Sequence, residues 1–212
     1  MDITWLGQAS FKIKGKTATV VTDPYDPSIG LKLPKNLDAQ VVLISHNHRD
    51  HNNSGAILGE PLVISGPGEY EKLGVTVLGI PTFHDNTSGS ERGPNTIYYF
   101  QIDGINFVHL GDLGHVLTEE QLEFIDDVDI LMVPVGSVYT IDGKRAAQVV
   151  SQLEPKVVIP MHYKIPELSI NLEGPESFLK EMGAENATPQ PKLSITKDKL
   201  PEETTVVLLD KS

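Results

Sequence analysis

One stretch constrains this chain more than any other: Ser45-His46-Asn47-His48-Arg49-Asp50-His51, directly after the apolar run Val41-Val42-Leu43-Ile44. A short apolar run bounded by polar residues reads as a buried strand, so the cluster sits where a strand gives way to a loop. His46 and His48 are two apart and face the same side of an extended backbone. Asp50 and His51 follow the expected bend and can face a second point nearby. Neutral imidazole nitrogen and carboxylate oxygen suit zinc and other first-row divalent ions. A polar surface loop with coincidental histidines is the competing reading. It explains a lone histidine better than a cluster at this spacing.

Whatever binds here does so without a thiolate. The 212 residues include no cysteine, which excludes thiolate ligands and disulfides and leaves His, Asp and Glu as donors. A net charge of −12 and a pI of about 4.9 argue against a general nucleic-acid binder, which needs cationic patches to neutralise phosphates. A local basic patch remains compatible with that balance. Met1-Asp2-Ile3-Thr4-Trp5 has no basic region followed by an apolar stretch. No apolar run approaches the ~20 residues of a membrane span. The expectations are a cytoplasmic protein with no membrane partner and one domain over residues 1–212, homo-oligomerisation being left open.

Further chemical candidates also stand just past expected strands. A strand over 75–80 leads to Thr82-Phe83-His84-Asp85. His84 is a candidate ligand beside His46 and His48, with an ordinary loop histidine as the alternative. Strands over 95–102 and 105–110 flank Asp103-Gly104, a strong hairpin signal, and deliver His109-Leu110-Gly111-Asp112-Leu113-Gly114-His115. Asp112 is the natural carboxylate to bridge two ions, which lie ~3.5–4 Å apart in dinuclear sites. Alternation puts His109 on the face opposite Asp112. His115 reads equally as a wall or proton carrier of the site and as a surface residue. A strand over 156–160 precedes Met161-His162-Tyr163-Lys164, making His162 a ligand candidate and Tyr163 and Lys164 candidates to line the pocket.

The remaining pattern alternates strands and helices. Residues 2–22 read as strands, 28–39 as loop, 54–58 as a short helix, 61–65 as a strand and 66–69 as a turn. The glycine-rich stretch 86–94 reads as a flexible loop able to contact substrate. Its Arg92 faces either an anionic group or solvent. Thr118-Glu119-Glu120-Gln121 fits a capping box, and 128–135 reads as a strand. Ala146, Val149, Val150 and Leu153 fall at helical spacing, behind the basic pair Lys144-Arg145. A helix starts at Pro175 and stops at Gly183, and a closing strand covers 204–209.

His46-x-His48-x-Asp50-His51 after a hydrophobic strand resembles the signature of the metallo-β-lactamase superfamily. Thr4-Trp5-Leu6-Gly7, His109-Leu110-Gly111-Asp112, Pro134-Val135-Gly136 with Tyr139-Thr140, and Pro160-Met161-His162-Tyr163 resemble its lactonase-like branch of zinc-dependent hydrolases, which includes ascorbate-phosphate lactonases. Phe83-His84 departs from the Gly-His often found there. The match runs in order across residues 1–165. The resemblance implies an α/β (α+β) fold, a four-layer αββα sandwich. It also implies two divalent ions, zinc foremost, with manganese or iron as alternatives. His46, His48 and His84 would hold the first, Asp50, His51 and His162 the second, with Asp112 bridging. Thr22-Asp23-Pro24 resembles the superfamily's beginning, where the aspartate braces the metal-bearing loop; an ordinary turn residue is the alternative.

The activity expected from the resemblance is hydrolysis. A hydroxide shared between two ions attacks an ester, lactone, amide or phosphodiester of a small molecule. Asp50 helps to orient the nucleophile, and Tyr163 or His115 gives a proton. A metal-dependent nuclease on RNA or DNA is the first alternative, although no insertion resembles the tRNA-clamping arm of the tRNA-maturing nucleases. A non-catalytic metal-binding scaffold is the second. An oxygen-reducing di-iron role is the weakest, because that branch carries Glu where this chain has His48.

Overall fold

The computed structural model describes residues 1–212, which fold into two β-sheets packed face to face. The first sheet opens with an antiparallel meander of β1 (Asp2–Gly7), β2 (Ser10–Lys14) and β3 (Thr19–Thr22). Strands β4 (Val41–Leu43) and β5 (Leu62–Ile64) extend it in parallel. Alternation assigns the side chains. Val20, Val41 and Leu43 enter the main core between the sheets. Val21 and Val42 point the other way, into a smaller core with Leu6, Leu37, Ala39, Ile44 and Ile57. Loops cover that outer face, helped by single 3-10 turns at Pro27–Ile29 and Ser54–Ala56. The short helix expected over 54–58 is therefore one 3-10 turn, and Gly55 and Gly59 disfavour anything longer.

The second sheet is a longer meander, β6 (Gly68–Lys72), β7 (Val75–Phe83), β8 (Pro94–Ile102) and β9 (Ile105–His109). After α1 (Glu119–Leu122), β10 (Ile130–Pro134) joins β9 in parallel. After α2 (Gly143–Leu153), β11 (Val157–Met161) joins β10 in the same way. Then come α3 (Glu176–Glu181), β12 (Leu193–Ser194) beside β1, and β13 (Thr205–Val206) beside β11. Ala146, Val149 and Val150 of α2 and Phe178 of α3 belong to the main core. Phe100 and Phe107, directly opposite on β8 and β9, stack with ring centroids 5.0 Å apart. Thr118 and Gln121 close the expected capping box at α1.

Three expectations shift. The turn expected over 66–69 overlaps the start of β6, whose hairpin with β7 closes at Leu73-Gly74, both at positive φ (53° and 78°). Strand β7 runs past its expected end because β6 pairs only as far as Gly79. Pro81 therefore stands where no second neighbour needs an N–H from it. The closing strand expected over 204–209 shortens to the two residues of β13.

Direction positions the site. Strands β1, β3 and β4 run parallel to one another, as do β7, β9, β10 and β11. The ends that precede Gln8, Asp23, Ser45, His84, Asp112 and His162 therefore emerge at one edge. The sheets are tied together there. Thr96 N donates to Ser45 O at 2.8 Å, and Tyr98 Oη donates to Ile44 O at 2.7 Å. No helix is long and apolar enough to cross a membrane.

Candidate metal centre

Two groups of side chains meet at this edge. His46, His48 and His84 form one; Asp50, His51, Asp112 and His162 form the other. Within each group the donor atoms lie within 4.8 Å of one another. Asp112 Oδ2 stands between the groups, 3.1 Å from Nε2 of both His84 and His162, 3.3 Å from that of His51 and 3.9 Å from that of His46. His46 Nε2 and His48 Nδ1 are 3.0 Å apart. Donors ~2.0–2.2 Å from a tetrahedral ion lie roughly 3.3–3.6 Å from each other, so these spacings are close to those of a ligand set. His51 Nε2 and Asp112 Oδ1 are buried without a hydrogen-bond partner. Buried polar atoms are nearly always paired; a cation between the groups satisfies both, so the residues fit divalent ions.

One buried carboxylate orients a histidine in each group. Asp23 follows β3 at a φ of 37°. Its Oδ1 accepts from Ser45 N at 2.7 Å, and its Oδ2 accepts from Ser45 Oγ at 2.7 Å and from His51 Nδ1 at 2.9 Å. Ser45 Oγ, its own proton given to Asp23, accepts from His46 Nδ1 at 2.9 Å. Protons held on both Nδ1 atoms leave both Nε2 lone pairs for the centre. Asp23 thus braces the ligand loop, directly and through Ser45.

Sequence reasoning missed three supports. Gln8, at a φ of 53°, donates from Nε2 to Asp50 Oδ2 at 2.9 Å, and its carbonyl accepts from His162 N at 3.0 Å. Its one sequence signal is position: it follows Gly7 at a strand end, as the ligands follow theirs. Asn95 Oδ1 accepts from Asp112 N at 3.1 Å, while its Nδ2 donates to Leu110 O at 2.9 Å. Ser45 is the third. Close packing also demands glycine. A Cβ on Gly111 would strike Asn95 Oδ1, and one on Gly136 would strike His162 O.

The field here favours cations. Burial opposes a charged His51, yet Asp112, Asp50 and Asp23 outweigh it and raise its pKa well above the ordinary value. Burial likewise opposes ionised Asp112, but His162 and His51 hold its pKa well below the carboxylate range. Desolvation, with His51 nearby, pushes His46 down to about 3, so His46 is a neutral imidazole with a lone pair to give. Carboxylates that retain a proton at His51 would equally retain a metal cation.

Asp50, His84, Asp112 and His162 open into a cleft of about 410 Å³ with Arg49, Tyr139 and the segment 169–171 around it. Other candidates stand elsewhere. Tyr163 is a correction: its ring is buried in the main core against Trp5, with centroids 4.9 Å apart, and it does not line the cleft, so it is not placed as a proton donor. His115 is another. It lines a separate cavity with Phe83 and Phe124, its Nε2 2.9 Å from Thr82 Oγ1 and its Nδ1 2.7 Å from Val116 O. His109 is structural, donating from Nε2 to Ala9 O at 2.8 Å. Lys164 is exposed and does not line the cleft. The loop expected to be flexible is wrapped round Asp85, whose carboxylate accepts from the amides of Thr87, Gly89, Glu91 and Arg92.

The model of the β-lactamase superfamily domain matches residues 2–162. A UPF0173 metal-dependent hydrolase of Thermococcus onnurineus is 30% identical over 212 residues, covering 86% of this chain and 92% of the relative. Another, from Carboxydothermus hydrogenoformans, is 31% identical over 198 residues, covering 77% and 84%. A solved structure from Thermotoga maritima, assigned to the Zn-dependent hydrolases of the metallo-β-lactamase superfamily, matches with a TM-score of 0.80 and 39% identity, covering 98% of this chain and 97% of that one. The histidine–carboxylate centre and these relatives together place the chain in a class, the metal-dependent hydrolases. The chain belongs to the metallo-β-lactamase superfamily, within its UPF0173 metal-dependent hydrolases.

Proposed function

We propose that this hydrolase works with two divalent ions, zinc foremost with manganese or iron as alternatives, on an ester, lactone, amide or phosphodiester of a small molecule. The position of Asp112 Oδ2 between both groups of donors carries the reading. Such ions, when bound, supply a lowered water pKa and a Lewis acid for developing negative charge. His46, His48 and His84 would hold one, and Asp50, His51 and His162 the other, with Asp112 shared. The chain does the rest. Asp23 and Ser45 fix the imidazole protons away from the centre. Asp50, half-buried and steadied by Gln8, would help to orient the attacking water. The cleft suits a small ligand, since small-molecule pockets measure ~300–1,000 Å³.

A hydrolysis panel tests this. Protein stripped with a chelator, then reconstituted with zinc, manganese or iron, is offered a lactone, an aryl ester, an anilide and bis(4-nitrophenyl) phosphate. Turnover of at least one that vanishes on chelation and returns with metal is expected. Tyr163→Phe retains it, whereas loss of a general acid costs ~10²–10⁴-fold. Two bound ions without turnover of any of them would contradict the reading.

A further inference from the structure

We infer that the cleft receives a small molecule bearing one anionic group, a carboxylate or a phosphate, and that Arg49 binds that group; this rests on the hydrolase reading above. The chain has three arginines among 17 basic and 29 acidic residues. Arg145 pairs with Asp142 at 3.4 Å. Arg92 lies 3.9 Å from Glu91, and its guanidinium stands 5.7 Å from the centre of the Tyr139 ring. Arg49 alone among them makes no ion pair, and its side chain makes no hydrogen bond, although carboxylates outnumber cations in this chain. Asp26 feels its charge only as the smallest of several influences.

The unpaired guanidinium is also in the right place. Arg49 lines the same cleft as Asp50, His84, Asp112 and His162. Its backbone is held, since Arg49 O accepts from Asp26 N at 2.8 Å and the residue is flanked by His48 and Asp50. Arg92 stands over Tyr139, another residue of the cleft, and brings a second cation near. A guanidinium offers a planar fork that matches carboxylate and phosphate oxygens at two points. A polynucleotide needs a track of cations to neutralise successive phosphates. The cleft lining holds one arginine and no lysine, which suits a ligand with one anionic group.

Isothermal titration of the metal-loaded protein with inorganic phosphate and with acetate tests the assignment. Wild type is set beside Arg49→Gln, Arg49→Lys and the remote control Arg145→Gln, with metal content measured on every sample. Arg49→Gln is expected to weaken at least one of the two anions by about tenfold or more. Arg49→Lys should lose less, and Arg145→Gln should match wild type. Which anion loses affinity distinguishes carboxylate from phosphate. Unchanged binding of both anions by Arg49→Gln, with its ions in place, overturns the inference and leaves the hydrolase reading standing. A wild type that takes up no metal overturns both. Binding of a single-stranded oligonucleotide that weakens steeply with salt overturns the small-molecule ligand.

Discussion

Asp23 and Ser45 show how much of the centre depends on residues that are not themselves candidate ligands. Asp23 meets His51 directly but reaches His46 only through the Ser45 hydroxyl. On the proposed two-ion reading, Ser45→Ala should therefore loosen the ion assigned to His46, His48 and His84 while sparing the other. Loss of such a supporting contact costs about 10–100-fold in metal affinity. Chelator competition read out by metal analysis should show one ion leaving Ser45→Ala earlier than it leaves wild type; release unchanged from wild type would refute the relay. At this scale the sequence was informative where residue type alone carries the chemistry. His46, His48, Asp50 and His51 cluster in the chain, and His84, Asp112 and His162 each follow a strand. It was silent on Gln8, Ser45 and Asn95, because their roles lie in hydrogen bonds to residues brought near only by folding. Gln8 meets Asp50 across 42 positions and Asn95 meets Asp112 across 17. Tyr163 misled because adjacency to His162 is not proximity to the cleft. His162 takes a φ of 52° just past the end of β11, so the chain turns there and Tyr163 enters the core.

Among elements, strong periodicity was legible and weak periodicity was not. The β8–β9 hairpin announced itself through Asp103-Gly104, and both residues take the positive φ that such a turn needs (53° and 76°). Strand β6 hid because Glu69 and Glu71 face solvent and no side chain of the strand is fully buried. Charges of this kind on an edge strand discourage pairing with other chains. The loop after His84 read as mobile from its composition, yet Asp85 knots it. Another buried carboxylate joins distant elements. Asp129 accepts from Asn106 N at 2.9 Å and from Lys156 Nζ at 2.9 Å, and also meets Lys197. Burial opposes its charge, but the Asn106 amide and the two ammonium groups outweigh that and lower its pKa. A depressed folded pKa contributes stability that is full above the unfolded value, about 3.9, and is lost as pH falls through the folded value. Thermal unfolding of metal-free protein should therefore show an acid-side loss of stability below about pH 4. Asp129→Asn should make it shallower, the other depressed carboxylates such as Asp112 keeping the rest. An identical acid limb in the variant would remove Asp129 from the account.

For the molecule as a whole, parallel strand direction does the work of assembly. The two sheets deliver all seven candidate ligands to one edge because β4, β7, β9 and β11 end there. The sandwich was implied by the resemblance of the motifs to the metallo-β-lactamase superfamily, and the order of strands agreed with it. The loop-covered outer face of the first sheet was not readable, because Leu37, Ala39 and Ile57 bury apolar surface without helical spacing. Metal content by mass spectrometry tests the central claim most directly, on wild type beside Asp112→Ala and His162→Ala. The account predicts about two ions per wild-type chain, with fewer in both variants. One ion or none in wild type after reconstitution, unchanged in the variants, would contradict it.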